Sequence, residues 1–258
     1  MPFAPFDPSD TEPFLDDPAG ERTRRREQLA QCYRLFGALR YGDLGDGHIS
    51  FRDPERRDHF WMLRYGVSFH AASAADTVLV APDGSTVDDP SIGSTGAPIN
   101  ITGYYIHHPV HEARPDVEAV AHVHAPYSTA YSTERRLLDP INQEATQFFE
   151  DHALFDDEEV QVFSTEGGKR ISVAIGDNRS VILANHGFLT TGASAADAVA
   201  WLVEMERAAE VALKANNPIR LSAEATRIAR ENLVTPRTGW QIYQYLIRRH
   251  LPDDSSAK

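Results

Sequence analysis

Short apolar runs of strand length alternate with helix-period segments along most of this chain, and no shift in composition marks an internal linker. That interleaving implies one α/β domain with further helices packed on it near the C-terminus. A helix is expected from Glu21, with Leu29, Cys32, Tyr33, Phe36 and Leu39 on one face. Arg22, Arg24, Arg25 and Arg26 open it and read as a solvated or intersubunit face. A glycine-rich turn leads to two strand candidates, His48–Arg52 and His59–Arg64, around a Pro54 turn, and a third runs from Thr77 to Ala81. A helix over Gly103–Arg114 carries Pro109 within it, and a strand over Val117–Val123 is followed by a helix from Pro126 to Ser132. Gly168–Ile175 reads as a short amphipathic helix and Ser180–Ala184 as an apolar run of strand length. The clearest helix runs from Ser194 to Ala215. Ser194 and Asp197 make a capping box, and Ala198, Trp201, Leu202, Met205, Ala208, Ala209 and Ala212 form its buried face.

Three segments follow. Residues 1–20 alternate proline with acids and are expected as an extended or disordered arm, or one that wraps a neighbouring subunit. Residues 21–215 form the α/β domain. Residues 216–258 hold two helices, near Ala223–Asn232 and Trp240–His250, and a polar tail. Whether those helices cover a site as a lid, through Trp240, Tyr243 and Tyr245, is open at this level.

Charge and cysteine content narrow the function. Twenty-five Lys and Arg against 38 Asp and Glu leave a net charge of −13, which repels phosphate backbones and anionic membranes. No nucleic-acid or membrane partner is expected. Nothing in the 258 residues reads as a membrane span or a secretory signal, so a cytoplasmic protein is the default. A single cysteine, Cys32, excludes an internal disulfide framework and a thiolate zinc cluster. Eleven histidines are left to carry chemistry.

His122 and His124 close a strand candidate, and residues two apart on a strand point to one face. His186 follows another apolar run, in Asn185-His186-Gly187, where the glycine permits close backbone approach. Three imidazoles at strand ends with an open position are the ligand set of a catalytic divalent metal. By spacing alone, a histidine pair of no function is equally compatible with His-x-His.

The segment Arg114-Pro115-Asp116-Val117-Glu118-Ala119-Val120-Ala121-His122-Val123-His124, then Asn185-His186-Gly187-Phe188-Leu189 before a long helix, resembles the class II aldolase/adducin family. Gly45-Asp46-Gly47-His48-Ile49-Ser50 is similar to that family's Gly-Asn-x-Ser segment, and Leu79-Val80-Ala81-Pro82-Asp83-Gly84 to its strand and turn before the site. The likeness runs from about Glu21 to about Ala215. It implies a central, largely antiparallel sheet flanked by helices on both faces. It also implies a divalent ion held by His122, His124 and His186, with zinc expected and iron or manganese as alternatives. A homotetramer with sites near subunit interfaces is implied as well.

The chain departs from the family's phosphosugar aldolases. They bring a glutamate to the metal from four residues before a helical histidine, and counting back from His107 that position is Gly103. Their phosphate-cradling segments are altered too, with His48 in place of an asparagine. The marks Gly47-His48-Ile49-Ser50-Phe51-Arg52-Asp53-Pro54, Ile106-His107-His108-Pro109-Val110-His111 and Asp139-Pro140-Ile141-Asn142-Gln143-Glu144 resemble a non-sugar branch. That branch includes an aminocoumarin-pathway enzyme that decarboxylates an aryl pyruvate oxidatively with non-haem iron.

The expected function is a metal-dependent lyase, aldolase or decarboxylase, acting on a small oxo- or hydroxy-carboxylate through a metal-stabilised enolate. The alternatives are an iron(II)-dependent oxygenase of a 2-oxo acid and an adducin-like interaction module without catalysis. Tyr104, His111 and Glu144 are the candidate proton-moving groups, and His48 and Gln143 the candidate substrate contacts. His107 reads as a core histidine tying its helix to the sheet. Glu150-Asp151-His152 reads as a surface charge cluster.

Overall fold

The computed structural model describes residues 6–42 and 44–251. Helix α1 spans Pro18–Leu39, capped by the Asp17 carboxylate, which accepts from the Gly20 N–H, with proline in its first turn. The chain then lays down β1 (Gly47–Arg52), β2 (Phe60–Leu63) and β3 (Thr77–Val80), followed by a two-residue pair, β4 (Asp88–Asp89) and β5 (Ser94–Thr95). Helix α2 (Ile101–Ala113), β6 (Ala119–Val123), α3 (Pro126–Ser132) and α4 (Gln143–Thr146) come next. After them lie β7 (His152–Phe155), α5 (Thr165–Ile175), β8 (Ser180–Leu183) and β9 (Gly187–Gly192). The described chain closes with α6 (Ala195–Lys214), α7 (Ala223–Leu233) and α8 (Thr238–His250).

Seven strands form one sheet in the order β3-β2-β1-β6-β9-β8-β7. Every pairing is antiparallel except β7 with β8. The pleat sends alternate residues to opposite faces. On one face Ile49, Phe51, Ala119, Ala121 and Val123 pack with α1, α6 and α8. On the other, Val120, Val181, Leu183 and Leu189 pack with Ile106 and Val110 of α2 and Ile171 and Ile175 of α5. The largely antiparallel α/β sheet with helices on both faces, expected from the resemblance, is the observed architecture.

Two strands of the seven-stranded sheet escape the periodicity analysis, as do the two-residue β4 and β5. β9 is bounded by Gly187 and Gly192 and carries Thr190 and Thr191 on buried positions, so it lacks a clean apolar alternation. β7 is a four-residue edge strand that follows Glu150 and Asp151. The surface cluster expected there is also corrected. His152 is buried, with Nδ1 donating to the Phe148 carbonyl and Nε2 accepting from the Leu138 N–H. Asp151 is buried against Arg179 and Arg230, and only Glu150 is exposed.

The arginines that open α1 are not a solvated face either. Arg22 is buried and donates through Nε and Nη2 to Asp53, which also receives the Trp61 indole N–H at 2.9 Å. Arg25 reaches the Arg52 carbonyl and Glu118. Arg26 stacks over Trp61 and donates to the carbonyls of Ala74, Ile92 and Gly93. A guanidinium with five donors can be buried where carbonyls and carboxylates surround it, and here it clamps α1 to the sheet. Upstream, Glu12 accepts from Arg24, Gln28 and the Ser194 hydroxyl, and α1 itself begins at Pro18. In α8, Tyr243 is buried and donates to Gln31 of α1, while Trp240 stacks on it. No helix among the described residues is long and apolar enough to cross a membrane.

Replacing Asp53 with alanine leaves Arg22 Nε and the Trp61 N–H without acceptors in the interior, with only Glu55 still pairing Arg22. Losing one partner of a buried pair costs about 3–5 kcal/mol. Urea unfolding of Asp53→Ala is expected to show a loss of that size at unchanged slope, and a loss below about 1 kcal/mol would contradict the clamp.

Candidate metal centre

The pairing of β1 with β6 sets His48 opposite His122 on the face covered by α2, with Gly47 opposite Val123. His124 follows one residue beyond β6. His186 lies in the tight turn between β8 and β9, which close on each other through Leu183 and Gly187. Asn185 makes that turn with φ of 59°, a left-handed conformation that asparagine tolerates better than other side chains. A Cβ on Gly187 would stand 3.1 Å from the Val123 carbonyl oxygen and 3.6 Å from His122 Cε1, so the turn approaches β6 as closely as glycine permits.

Ligand atoms of His122, His124 and His186 all lie within 4.8 Å of one another. Their rings meet edge to face, with centroids 4.7–5.2 Å apart. His122 Nδ1–H donates to the Phe188 carbonyl at 2.8 Å, which leaves its Nε2 as the free lone pair. His124 Nδ1 stands 3.8 Å from an Asp46 carboxylate oxygen, whose companion oxygen is buried without a partner. The donor set is all nitrogen, convergent and held from behind, and it fits a divalent ion with coordination positions left open.

The triad forms part of the wall of a cavity of about 300 Å³ that also exposes Asp46, His48, Asn100, Thr102 and Ile106. A second cavity of about 320 Å³ shares His48 and Asn100 with it and is lined by Tyr33, Met62, Leu63, Val67 and Phe69. His48 therefore stands between the two cavities.

His48 thus reaches the cavity as expected, but four other candidates do not. Tyr104 donates its hydroxyl hydrogen to the Pro82 carbonyl at 2.7 Å and stacks on His108. His111 is buried behind the sheet face, stacked on Phe60 and bonded to Ser50. Gln143 is exposed at the start of α4, and Glu144 accepts from Asn142 beside it. None of the four lines either cavity. Neither do Trp240, Tyr243 and Tyr245. Gly103 stands where it does for a steric reason: a Cβ there would be 2.5 Å from Met62 Cε and 2.9 Å from His48 Cγ. Sequence reasoning missed Asp46 and Ser50, although both lie in the Gly45–Ser50 segment already singled out. His107, expected to tie its helix to the sheet, is fully buried and bonds both His48 and Ser50 of β1.

With this geometry in hand, comparisons with known proteins are specific. The sequence profile of the Class II Aldolase and Adducin N-terminal domain matches residues 27–213. Over 247 residues the chain is 32% identical to Decarboxylase NovR of Streptomyces niveus, covering 94% of this chain and 89% of that protein. Over 241 residues it is 33% identical to the 4-hydroxy-3-prenylphenylpyruvate oxygenase/4-hydroxy-3-prenylbenzoate synthase of Streptomyces roseochromogenus subsp. oscitans, covering 91% and 84%. Its fold is similar to a solved aldolase II superfamily protein from Pseudomonas syringae, with a TM-score of 0.81, 30% identity and coverage of 92% and 95%.

Burial holds His48, His107, His111 and His122 well below the ordinary imidazole range, and neighbouring imidazoles add to this at His48, His107 and His122. Burial lowers His124 too, and burial followed by His124 lowers His186 to about 4. A ring whose folded pKa lies below its unfolded value takes its proton first in the unfolded chain, so acid favours unfolding. For His186 the stabilisation is full above about 6.5 and is lost as pH falls toward about 4. Urea-unfolding curves of the metal-free protein are expected to weaken through that window, and His186→Gln to flatten the dependence. An unchanged slope in the variant would show that His186 is not held neutral by the fold.

Proposed function

The chain belongs to the class II aldolase and adducin family, and on that premise we propose that it is a metal-dependent carbon–carbon lyase, of aldolase or decarboxylase type, acting on an oxo- or hydroxy-carboxylate. The observation that carries this reading is the convergence of His122, His124 and His186 on the wall of a cavity of about 300 Å³. These three residues would hold the ion, zinc first, with iron and manganese as the alternatives. A divalent cation there supplies Lewis-acid polarisation of the substrate's carbonyl oxygen.

The chain's own groups do the rest. The N-terminal turn of α2, at Asn100 and Thr102, faces the cavity with the positive end of its dipole and favours a carboxylate. His48 contacts the anionic end of the substrate, and the second cavity beyond it, where Tyr33, Met62, Leu63 and Phe69 line part of the wall, accommodates an attached aromatic or alkyl group. In a lyase turnover the bond between the carbons α and β to the polarised carbonyl would break, its electron pair passing into an enolate. The β fragment would leave as carbon dioxide, or as an aldehyde once its hydroxyl proton is removed, and a proton would then quench the α carbon. Gly103 offers no acid and Tyr104 has committed its hydroxyl hydrogen to Pro82. Asp46, on the cavity wall with one oxygen lacking a partner, is the group we assign to that proton. The family's assembly supports a homotetramer, which light scattering would read directly.

A second reading, oxygen-consuming cleavage of a 2-oxo acid at the same site, is favoured by the similarity to the prenylphenylpyruvate oxygenase. Three imidazoles with open positions suit iron(II) as well as zinc. Metal analysis of the purified protein is expected to give near-stoichiometric divalent ion, lost on replacing His124 or His186 with alanine. Turnover of oxo- and hydroxy-carboxylates is expected to stop with chelator and return with metal. Turnover without dioxygen uptake sustains the lyase, and uptake matching product formation replaces it with the oxygenase. A protein that binds no divalent ion defeats both and leaves a non-catalytic interaction module.

A further inference from the structure

Behind His48 runs a buried chain of hydrogen bonds that the lyase reading leaves unused. His48 Nδ1 meets His107 Nε2 at 2.8 Å, His107 Nδ1 meets Ser50 Oγ at 2.8 Å, and Ser50 Oγ meets His111 Nε2 at 2.8 Å. His48 and Ser50 lie on one face of β1, while His107 and His111 are one turn apart on α2. All three rings are buried and none is hydrogen-bonded to a carboxylate among the described residues, and a buried ring without a counter-charge is neutral.

Neutral rings make the hydrogens countable. Each imidazole carries one and the serine hydroxyl carries one, so four hydrogens serve three links. Ser50 accepts from one ring and donates to the other, which makes the chain directional. The fourth hydrogen then stands at one end, on His111 Nδ1 or on His48 Nε2. His111 Nδ1 is buried without a hydrogen-bond partner. Among the described residues the Val117 carbonyl is the one acceptor near His111 on that side, but both its lone pairs are taken by Nε and Nη2 of Arg52, at 3.1 and 3.0 Å, which leaves no well-placed acceptor for a hydrogen on His111 Nδ1. An orphaned N–H in the interior is the rarer and costlier arrangement, so the bare nitrogen belongs there.

We infer that His107, Ser50 and His111 are positioning residues that fix His48 in its Nε2–H tautomer, so that His48 presents a hydrogen-bond donor to an anionic substrate oxygen in the cavity. Reading outward, His111 Nε2–H donates to Ser50, Ser50 donates to His107 Nδ1, and His107 Nε2–H donates to His48 Nδ1. In this tautomer His48 has no lone pair to offer a metal ion, in keeping with its absence from the convergent ligand atoms of the triad. Four imidazoles thereby stand close together while only three coordinate. The bare Gly103 belongs to the same arrangement, since any side chain there collides with His48. This deepens the assignment of His48 as a substrate contact. It is tested on the metal-free protein without substrate, so its failure and that of the lyase reading are distinguishable.

The test is long-range proton–nitrogen correlation NMR of nitrogen-labelled, metal-free protein at neutral pH, in which protonated and bare ring nitrogens resonate far apart. The expected result is a hydrogen on Nε2 of His48, His107 and His111. A hydrogen on Nδ1 of His48, with its Nε2 bare, overturns the inference on the wild-type protein alone. Ser50→Ala removes the bridge and is expected to shift His48 from a single tautomer to a mixture, with the His122 Nδ1–H signal unmoved. Ser50→Thr, which keeps the hydroxyl, is expected to restore the single form. An unaltered His48 tautomer in a folded Ser50→Ala protein would also overturn the inference.

Discussion

The antiparallel pairing of β1 with β6 is the constraint on which the site depends. Its register places His48 opposite His122 and Ser50 opposite Val120, all toward α2, while Ile49 and Ala121 turn toward α1. A slip of one residue would exchange the faces. The imidazoles would enter the apolar layer under α1, and Ile49 and Phe51 would face the helix that now bonds to His48 and Ser50. Hydrophobic burial on one face and polar pairing on the other thus select the same register.

That arrangement concentrates histidine in the interior of an acidic protein. Burying a polar ring without a partner costs free energy, and the fold offsets this by giving each fully buried ring at least one hydrogen-bonded nitrogen. His122 is held through the Phe188 carbonyl, and His107 through His48 and Ser50. The exceptions are informative. Nε2 of His122 is directed to the triad, and the unpartnered Asp46 oxygen lies in the same cavity wall. These two lie where a ligand would meet them, whereas the bare Nδ1 of His111 lies outside the cavity.

Much of the fold was legible because its signals are local. Ser194 caps α6, and the apolar stripes of α1 and α6 repeat at helical spacing, although α1 begins at Pro18, inside the segment read as an arm. The histidine triad was legible through the family resemblance, since the His-x-His spacing of His122 and His124 by itself fits a pair of no function equally well. β7 and β9 were not, since a short edge strand and a strand framed by glycines carry no period strong enough to detect. Nor were the arginines of α1 readable as internal clamps. Their burial depends on Asp53, Glu118 and carbonyls far away in sequence, and a guanidinium looks the same in the sequence whether solvated or satisfied.

The sequence by itself determined the α/β class, because periodicity, caps and strand alternation act over a few residues, and it pointed to the family and to the three converging histidines through the resemblance of its motifs. Only the tertiary structure decided what surrounds that triad. It turned Tyr104 and His111 away from the cavity, left Gln143 and Glu144 outside it, and brought in Asp46, Asn100 and Thr102. It also showed that Gly103 is bare because His48 and Met62 fill the space, and that His48 is backed by His107, Ser50 and His111. These are contacts between β1 and α2, about fifty residues apart in the chain. No local rule of spacing reaches that far, and the packing of a helix against a sheet settles which polar groups meet.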